Sequence, residues 1–274
     1  MTSPRNLQAL IILPSYNVSS AISDVLSPLP KSNVLVVDDG STDETAAIVE
    51  RLGYRLVKHP HNLGLSAAIK TGEKYAEQNE YRHVVFIDAD GQHPSELFGE
   101  FLRALERVDF VFGDRFSRLE HIPLEKIASN LFASLLVKEV TGQFVRDVSC
   151  GYRGYRLLPQ LMQMESCGYS RVYSQIVEVI LSGISQARVS IPAIYPPHGL
   201  HATKRNEIIG LCQALVQFAP TLSTLSRILD SVYLKKEISI AIDGVSFIAR
   251  YIEPIDSYQF STDAANAKRL YANR

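Results

Sequence analysis

This chain of 274 residues is short of several things, and each shortage closes a class of function. Only three cysteines occur, Cys150, Cys167 and Cys212. Their number is odd and their spacing fits no metal site, so they read as reduced thiols in a cytoplasmic chain. Neither sign of charge is in excess: 28 Lys and Arg face 29 Asp and Glu, for a formal net charge of −1. That balance gives no chain-wide electrostatic footprint for a nucleic acid or an acidic lipid surface. The apolar run in "MTSPRNLQALIILPSYN" is too short for a signal peptide and leads into a polar turn, so it reads as a strand. The longest uncharged stretch, Ile208 to Ser226, is interrupted by Pro220 and diluted by glutamine and hydroxyl side chains. A membrane span needs ~20 mostly apolar residues, so this segment reads as a buried or surface-lying helix. No GxGxxG follows an early strand, which argues against a dinucleotide site. The loop after the first strand, "LPSYNVSSAISD", has no glycine or lysine to cradle a triphosphate. Internal repeats and low-complexity tracts are absent as well.

What is present is an alternation. "LQALIIL", "NVLVVDD", "YRLVKH", "HVVFIDAD" and "VDFVFGD" read as strands, and Thr42 to Leu52, Leu65 to Gln78 and Pro94 to Arg107 as the helices between them. Nearly continuous apolar strands alternating with helices predict an α/β fold with a largely parallel sheet covered on both faces. After Asp114, "PLEKIASNLFASLLVKEVTGQ" reads as a long amphipathic helix and "DVSCGYRGYR" as an irregular segment. A helix around Tyr173 to Leu181 and a strand in "QARVSIPAIY" follow. The expected organisation is a domain over 1–205 and an extension over 206–274, helical at first and then a hairpin turning at Asp243-Gly244.

Acids gather at the ends of these strands, where ligands bind in open parallel sheets. Asp38 and Asp39 follow Val34 to Val37; a carboxylate there can accept hydrogen bonds from a ribose or a base N–H. Asp88 and Asp90 follow "HVVFI", one residue apart, and can converge on a hard cation such as Mg²⁺ or Mn²⁺, with Gln92 as a neutral third contact. Capping of the next helix is the bland alternative for this DxD. Together, the two acid-tipped strands point to a nucleotide–metal complex.

In order, "LPSYN", "VVDDGSTDET", "HNLGLSAAIKTG", "DADGQHP", "GDR" and "DVSCGYR" resemble the family 2 glycosyltransferases, above all the dolichyl-phosphate mannose synthases and their bacterial polyprenyl-phosphate relatives. The resemblance runs from about Leu10 to Lys204 and implies a GT-A (Rossmann-like, nucleotide-diphospho-sugar transferase) fold, a UDP- or GDP-sugar donor, a divalent metal and inversion at the anomeric carbon. By position it implies that Pro14, Tyr16 and Asp39 hold the nucleoside. Asp88, Asp90 and Gln92 would hold metal and diphosphate, and Arg115 would face a donor or acceptor phosphate. Asp147 and Glu178 would line the acceptor side. The chain departs from that pattern in four places: Val18 stands where an acid is usual, and His198 where the lipid-phosphate enzymes carry arginine. "HATK", with His201 and Lys204, replaces their GxSK, and Glu125 and Lys126 open the long helix instead of arginine.

The acceptor stays open between a polyprenyl phosphate, with peripheral membrane contact, and a glycan hydroxyl. A hydroxyl acceptor needs a general base, for which Asp147 is the first candidate and Glu178 the second. Arg153 and Arg156 are candidates to pair with Asp147, and Tyr152, Tyr155, Tyr169 and Tyr173 to stack on a sugar. The tail after Asn206 is expected to form a dimer interface, cover the acceptor site or lie on a membrane. The reading from a different class is an inactive nucleotide-sugar-binding module serving as a sensor or scaffold.

Overall fold

The computed structural model describes residues 8–117, 122–164, 169–195, 211, 214, 215, 237–242, 245–252 and 257–262. Strands β1 (Ala9–Ser15), β2 (Val34–Asp38), β3 (Arg55–Lys58), β4 (His83–Phe86), β5 (Phe110–Asp114), β6 (Arg153–Arg156) and β7 (Gln186–Ser190) form one sheet in the order β3-β2-β1-β4-β6-β5-β7. All neighbours are parallel except β6, which runs antiparallel to both β4 and β5. The helices between them are α1 (Ile22–Leu26), α2 (Thr45–Leu52), α3 (Leu65–Gln78), α4 (Phe98–Leu105), α5 (Leu124–Thr141), α6 (Pro159–Met162) and α7 (Ser170–Leu181).

The strands need partners on both faces because both parities of residue are apolar. Leu10, Ile12, Leu35 and Val37 face a core shared with α3, α5 and α7, whereas Ile11, Leu13, Val34 and Val36 face a second core with α1, α2 and α4. Each chain reversal therefore places a helix on one face or the other, as the near-continuous apolar strands predict.

Three local readings are revised. "DVSCGYRGYR" contains β6, which carries no aliphatic run. Its Gly154 lies between Val85 and Val111 in register, and Tyr155 is stacked on Phe86 and Phe110. Pro94 is extended, with ψ of 94°, so it precedes a short 3₁₀ turn at Ser95–Leu97 and α4 starts only at Phe98. The amphipathic reading of α5 gives way to a covered helix: Ile127, Leu131, Ala133, Leu136 and Val137 are buried, and only Lys138 and Glu139 among its described side chains are exposed.

Beyond residue 206, Leu211, Ala214 and Leu215 lie in the same core as Leu10 and Val177. Strands β8 (Glu237–Ile242), β9 (Val245–Ile252) and β10 (Ser257–Thr262) make a separate antiparallel sheet in the order β10-β9-β8. The expected hairpin is thus present with a third strand added. Its turn at Asp243-Gly244 and most of the uncharged stretch lie outside the described residues, as do His198, His201, Lys204, Cys167 and Cys212.

A buried ion pair ties the elements of the first core together. Arg171 on α7 donates to Glu73 on α3 (Nη2 to Oε1, 2.7 Å), and both side chains are at most 2% exposed. Tyr155 of β6 donates to the same Glu73 oxygen at 2.6 Å, and Gln175 donates to the Tyr155 hydroxyl at 2.9 Å. Burial pushes the Glu73 carboxyl up and the Arg171 charge opposes it. Removing one member of such a pair leaves a buried charge uncompensated, at a cost of about 3–5 kcal/mol. Glu73→Leu should therefore lower the urea midpoint sharply, while Glu73→Leu/Arg171→Met should recover much of the loss; equal midpoints for native and Glu73→Leu would refute the assignment.

Candidate active site

The sheet gathers its functional groups at one edge. β2 and β4 flank β1, so strand order reverses there and opens a crevice at the carboxyl ends of β1 and β4. Because β6 runs the other way, its amino end, and with it Cys150 and Gly151, arrives at the edge where β4 and β5 finish.

Pro14 is the penultimate residue of β1 and Tyr16 follows the strand, with 43% of its surface exposed. The Tyr16 loop is laced to the loop after β2. Asn17 N–H donates to Ser41 Oγ (2.9 Å), Val18 N–H to Thr45 Oγ1 (2.9 Å) and Ser19 N–H to Asp43 Oδ2 (3.0 Å). Burial raises the Asp43 pKa, but hydrogen bonds from Thr45 and Ser19 outweigh it and hold the carboxyl at about 2. "GSTDET" thus serves to fix the aromatic loop. Val18, at the position where an acid was expected, packs into the second core.

Asp38 is fully buried: Oδ1 accepts the Ser41 N–H at 3.1 Å, and Oδ2 has no partner. Asp39 is better satisfied. Its N–H donates to Ser15 O (2.8 Å), its Oδ1 accepts from His59 Nδ1 (2.6 Å) and Leu63 N–H (2.9 Å), and its Oδ2 accepts from Gly64 N–H (2.8 Å). One intervening strand separates Asp39 from Asp88, a gap of about 10 Å at ordinary strand spacing.

Asp88 and Asp90 come together on the turn after β4. Asp90 Oδ1 accepts the Gln92 N–H at 3.0 Å and Oδ2 accepts from the Gln92 amide, so Gln92 orients the second aspartate. Loss of surrounding water pushes both carboxyls up; Arg115 and Arg153 oppose this at Asp88, and the Asp88 charge adds to it at Asp90. His93 is buried, and burial followed by the Arg115 charge brings its pKa down to about 3. As a neutral ring it accepts the Asp88 N–H at Nδ1 (3.3 Å) and packs at a tilt against Tyr152, so it positions the turn. Gly151 passes directly against Asp88: a Cβ there would lie 2.2 Å from Oδ2. Cys150 beside it is a buried free thiol pushed up to about 12, chiefly by burial.

On the far side, Asp147 is held by Arg115 in a fork, with Nε to Oδ2 at 2.8 Å and Nη2 to Oδ1 at 2.9 Å. The Arg115 N–H (3.1 Å) and the Ser149 N–H (3.3 Å) donate to the same carboxylate. Arg153, expected as a partner of Asp147, instead donates to Val172 O, Cys150 O and Gln175 Oε1, and Arg156 pairs with Asp109 at 3.5 Å. Glu178 accepts from Ser182 one turn further along α7 and is not among the residues lining the crevice. Two α7 residues reach the crevice, Val172 and Gln175, and they line it with Pro14, Leu65, Asp88, Gly151 and Arg153. Tyr152, Tyr155 and Tyr173 are core residues, Tyr169 is half-buried at the start of α7, and Tyr16 is an exposed ring at this edge. Gln175 escaped sequence reasoning because nothing in the helix periodicity of α7 distinguishes it, and Arg153, expected beside Asp147, was not expected to line the crevice.

The donor set suits a hard cation in part. Two repelling, partly dried carboxylates gain from a positive charge between them, and Asp88 and Asp90 are oxygen ligands. Among the described residues no third His, Cys, Asp or Glu completes a cluster. A cation here must fill its shell with water and substrate oxygens, the habit of Mg²⁺.

Comparison with known proteins agrees with this geometry. The model of the glycosyl transferase family 2 matches residues 10–159. An uncharacterized protein of Methanocaldococcus jannaschii is 37% identical over 161 residues, 53% of this chain and 69% of its own. A polyprenol monophosphomannose synthase of Mycolicibacterium smegmatis is 27% identical over 202 residues, 67% of this chain and 76% of its own. A UDP-N-acetylglucosamine–dolichyl-phosphate N-acetylglucosaminyltransferase of Methanococcus voltae is 25% identical over 230 residues, 73% and 90% of the two chains. Glucosyl-3-phosphoglycerate synthase of Mycobacterium tuberculosis, solved with Mn²⁺, UDP-glucose and phosphoglyceric acid, shares the fold with a TM-score of 0.59 at 20% identity, covering 77% of this chain and 80% of that one. The acid-tipped, mostly parallel sheet is a GT-A fold, and the chain belongs to glycosyl transferase family 2 as a glycosyltransferase enzyme.

Proposed function

We propose that this site moves a sugar from a nucleoside-diphosphate donor to the phosphate of a polyprenyl phosphate, with inversion at the anomeric carbon. The observation that favours a phosphate over a hydroxyl acceptor is the Arg115–Asp147 fork. A carboxylate whose oxygens are already engaged by a guanidinium and two backbone N–H groups has little room to receive an acceptor hydroxyl as its base. Glu178, the second candidate base, is engaged with Ser182. A phosphate acceptor is anionic before it arrives and needs no base. Relatives named for polyprenyl- and dolichyl-phosphate acceptors support the same choice.

In this reading Tyr16 and Asp39 hold the nucleoside, and Asp88 and Asp90, with Gln92 orienting Asp90, hold the cation and diphosphate. A bound Mg²⁺ or Mn²⁺ would neutralise the leaving diphosphate. Arg115 has three of its five N–H groups on Asp147 and Ser149, which presents its Nη1 edge to a substrate phosphate. The bond from the anomeric carbon to the diphosphate breaks with its electron pair on the leaving oxygen. An acceptor phosphate oxygen closes the new bond from the opposite face, and no proton changes hands. Polyprenyl phosphate would be met at a membrane surface; among the described residues no helix is long and apolar enough to cross one.

The decisive assay presents UDP- and GDP-sugars with a short polyprenyl phosphate or the matching polyprenol, and detects product by mass. Transfer to the phosphate should exceed transfer to the alcohol by at least ~10²-fold and should vanish in Asp90→Ala, a loss of the size seen when a charge-stabilising group is removed. With increasing pH the rate should climb through about 6, as the acceptor's second proton leaves, and then stay level. Faster transfer to the alcohol would refute the phosphate reading. Gly151→Ala provides a separate check: its Cβ must displace Asp88, so the Mn²⁺ concentration for half-maximal rate should rise about tenfold or more while the melting temperature moves by only a few degrees.

A further inference from the structure

The hydrogen bonds around Asp39 limit what base this site can read. A carboxylate offers about four lone-pair positions. Three are occupied here: His59 Nδ1 and Leu63 N–H on Oδ1, and Gly64 N–H on Oδ2. The arrangement is braced from behind, because His59 Nε2 lies 2.9 Å from Thr71 Oγ1 on α3, which fixes the ring plane and directs Nδ1 at the carboxylate. Only 4% of the Asp39 side-chain surface stays open, and by the count of partners the lone-pair position left for a ligand is on Oδ2. Asp39 also sits beside the carboxyl end of β1, joined to Ser15 by a backbone bond, next to exposed Tyr16.

From this we infer that the donor's base is a pyrimidine imide, uracil or thymine, and that His59 and Thr71 are the residues that set this preference by limiting Asp39 to a single further hydrogen bond. The inference rests on the reading of Asp39 as a nucleoside contact. An imide presents one ring N–H, which the remaining lone pair accepts. Guanine presents a ring N–H and an amino N–H side by side and needs both carboxylate oxygens. With Oδ1 filled, one of those donors would be buried without a partner, a penalty equivalent to about tenfold or more in affinity. Cytosine and adenine offer no ring N–H at their pairing edges and gain less still.

The test is calorimetric titration of the full chain with UDP, dTDP, GDP, CDP and ADP in the presence of Mn²⁺. UDP or dTDP should bind at least about tenfold tighter than GDP, and the comparison between those two tells whether ribose or the thymine methyl matters. His59→Ala frees the second position on Oδ1 and should narrow the UDP-to-GDP ratio severalfold. His59→Asn, whose amide N–H can take the place of Nδ1–H, should restore it. A merely structural role for His59 would weaken all nucleotides alike and leave the ratio unchanged, which overturns the assignment to His59. GDP binding as tightly as UDP in the native chain overturns the imide inference while leaving a nucleotide-sugar enzyme intact. If no nucleoside diphosphate binds, the proposed function itself fails and this inference falls with it.

Discussion

Asp88 and Asp90 are half-buried neighbours whose charges repel, and the surrounding architecture answers that repulsion. Positive charge comes from two places, Arg115 at the end of β5 and Arg153 at the start of β6. Neither arginine lies in the strand that carries the acids. Arg115 arrives because β5 runs in the same direction as β4, and Arg153 because β6 is reversed, so that its first residues meet the last residues of β4 and β5 at one edge. A fully parallel sheet would have sent Arg153 to the opposite end. The antiparallel strand is therefore an electrostatic requirement of the site as much as a feature of the topology.

Holding Arg153 in the interior has its own demands. Its guanidinium is 2% exposed and its acceptors are two backbone carbonyls and the Gln175 amide, none of them charged. The same Gln175 donates to Tyr155, which donates to Glu73, which pairs with Arg171. The polar chain therefore runs from the ion pair in the first core to the wall of the crevice. A buried network of this kind, although it leaves Nε of Arg153 and Nε of Arg171 without a partner, ties α3, α7 and β6 together. It also fixes the loop carrying Gly151, which passes too close to Asp88 to tolerate any side chain.

Much of this was legible in the residues. Strands dominated by Val, Ile, Leu and Phe, with acids at their ends, announced the sheet, its two covered faces and the edge where a ligand would sit; helix α3 was bounded correctly at Leu65 and Gln78. Two kinds of information were missing. Periodicity misses a strand such as Arg153–Arg156, whose fitness comes from Gly154 and Tyr155 matching their neighbours across β4 and β5. It also misreads α5, because a helix covered on several sides by other elements differs from a surface-lying one only in what surrounds it. Residue identity likewise leaves pairing undetermined. Asp39 reads as a free acceptor until His59, Leu63 and Gly64 are seen around it.

Undetermined pairing matters most at Asp147. In sequence it is an acid at the right place for a base, 32 residues from the arginine that captures it. Only the fold shows that Nε and Nη2 of Arg115 meet its two oxygens. Once they do, the carboxylate aims the guanidinium, and in the proposed reading the N–H groups left on Nη1 of Arg115 serve to meet negative charge. A site built that way stabilises anions and has little means of making them. In the proposed reaction the acceptor enters already ionised, and the catalytic work shifts from removing a proton to steadying the charge that builds on the departing diphosphate.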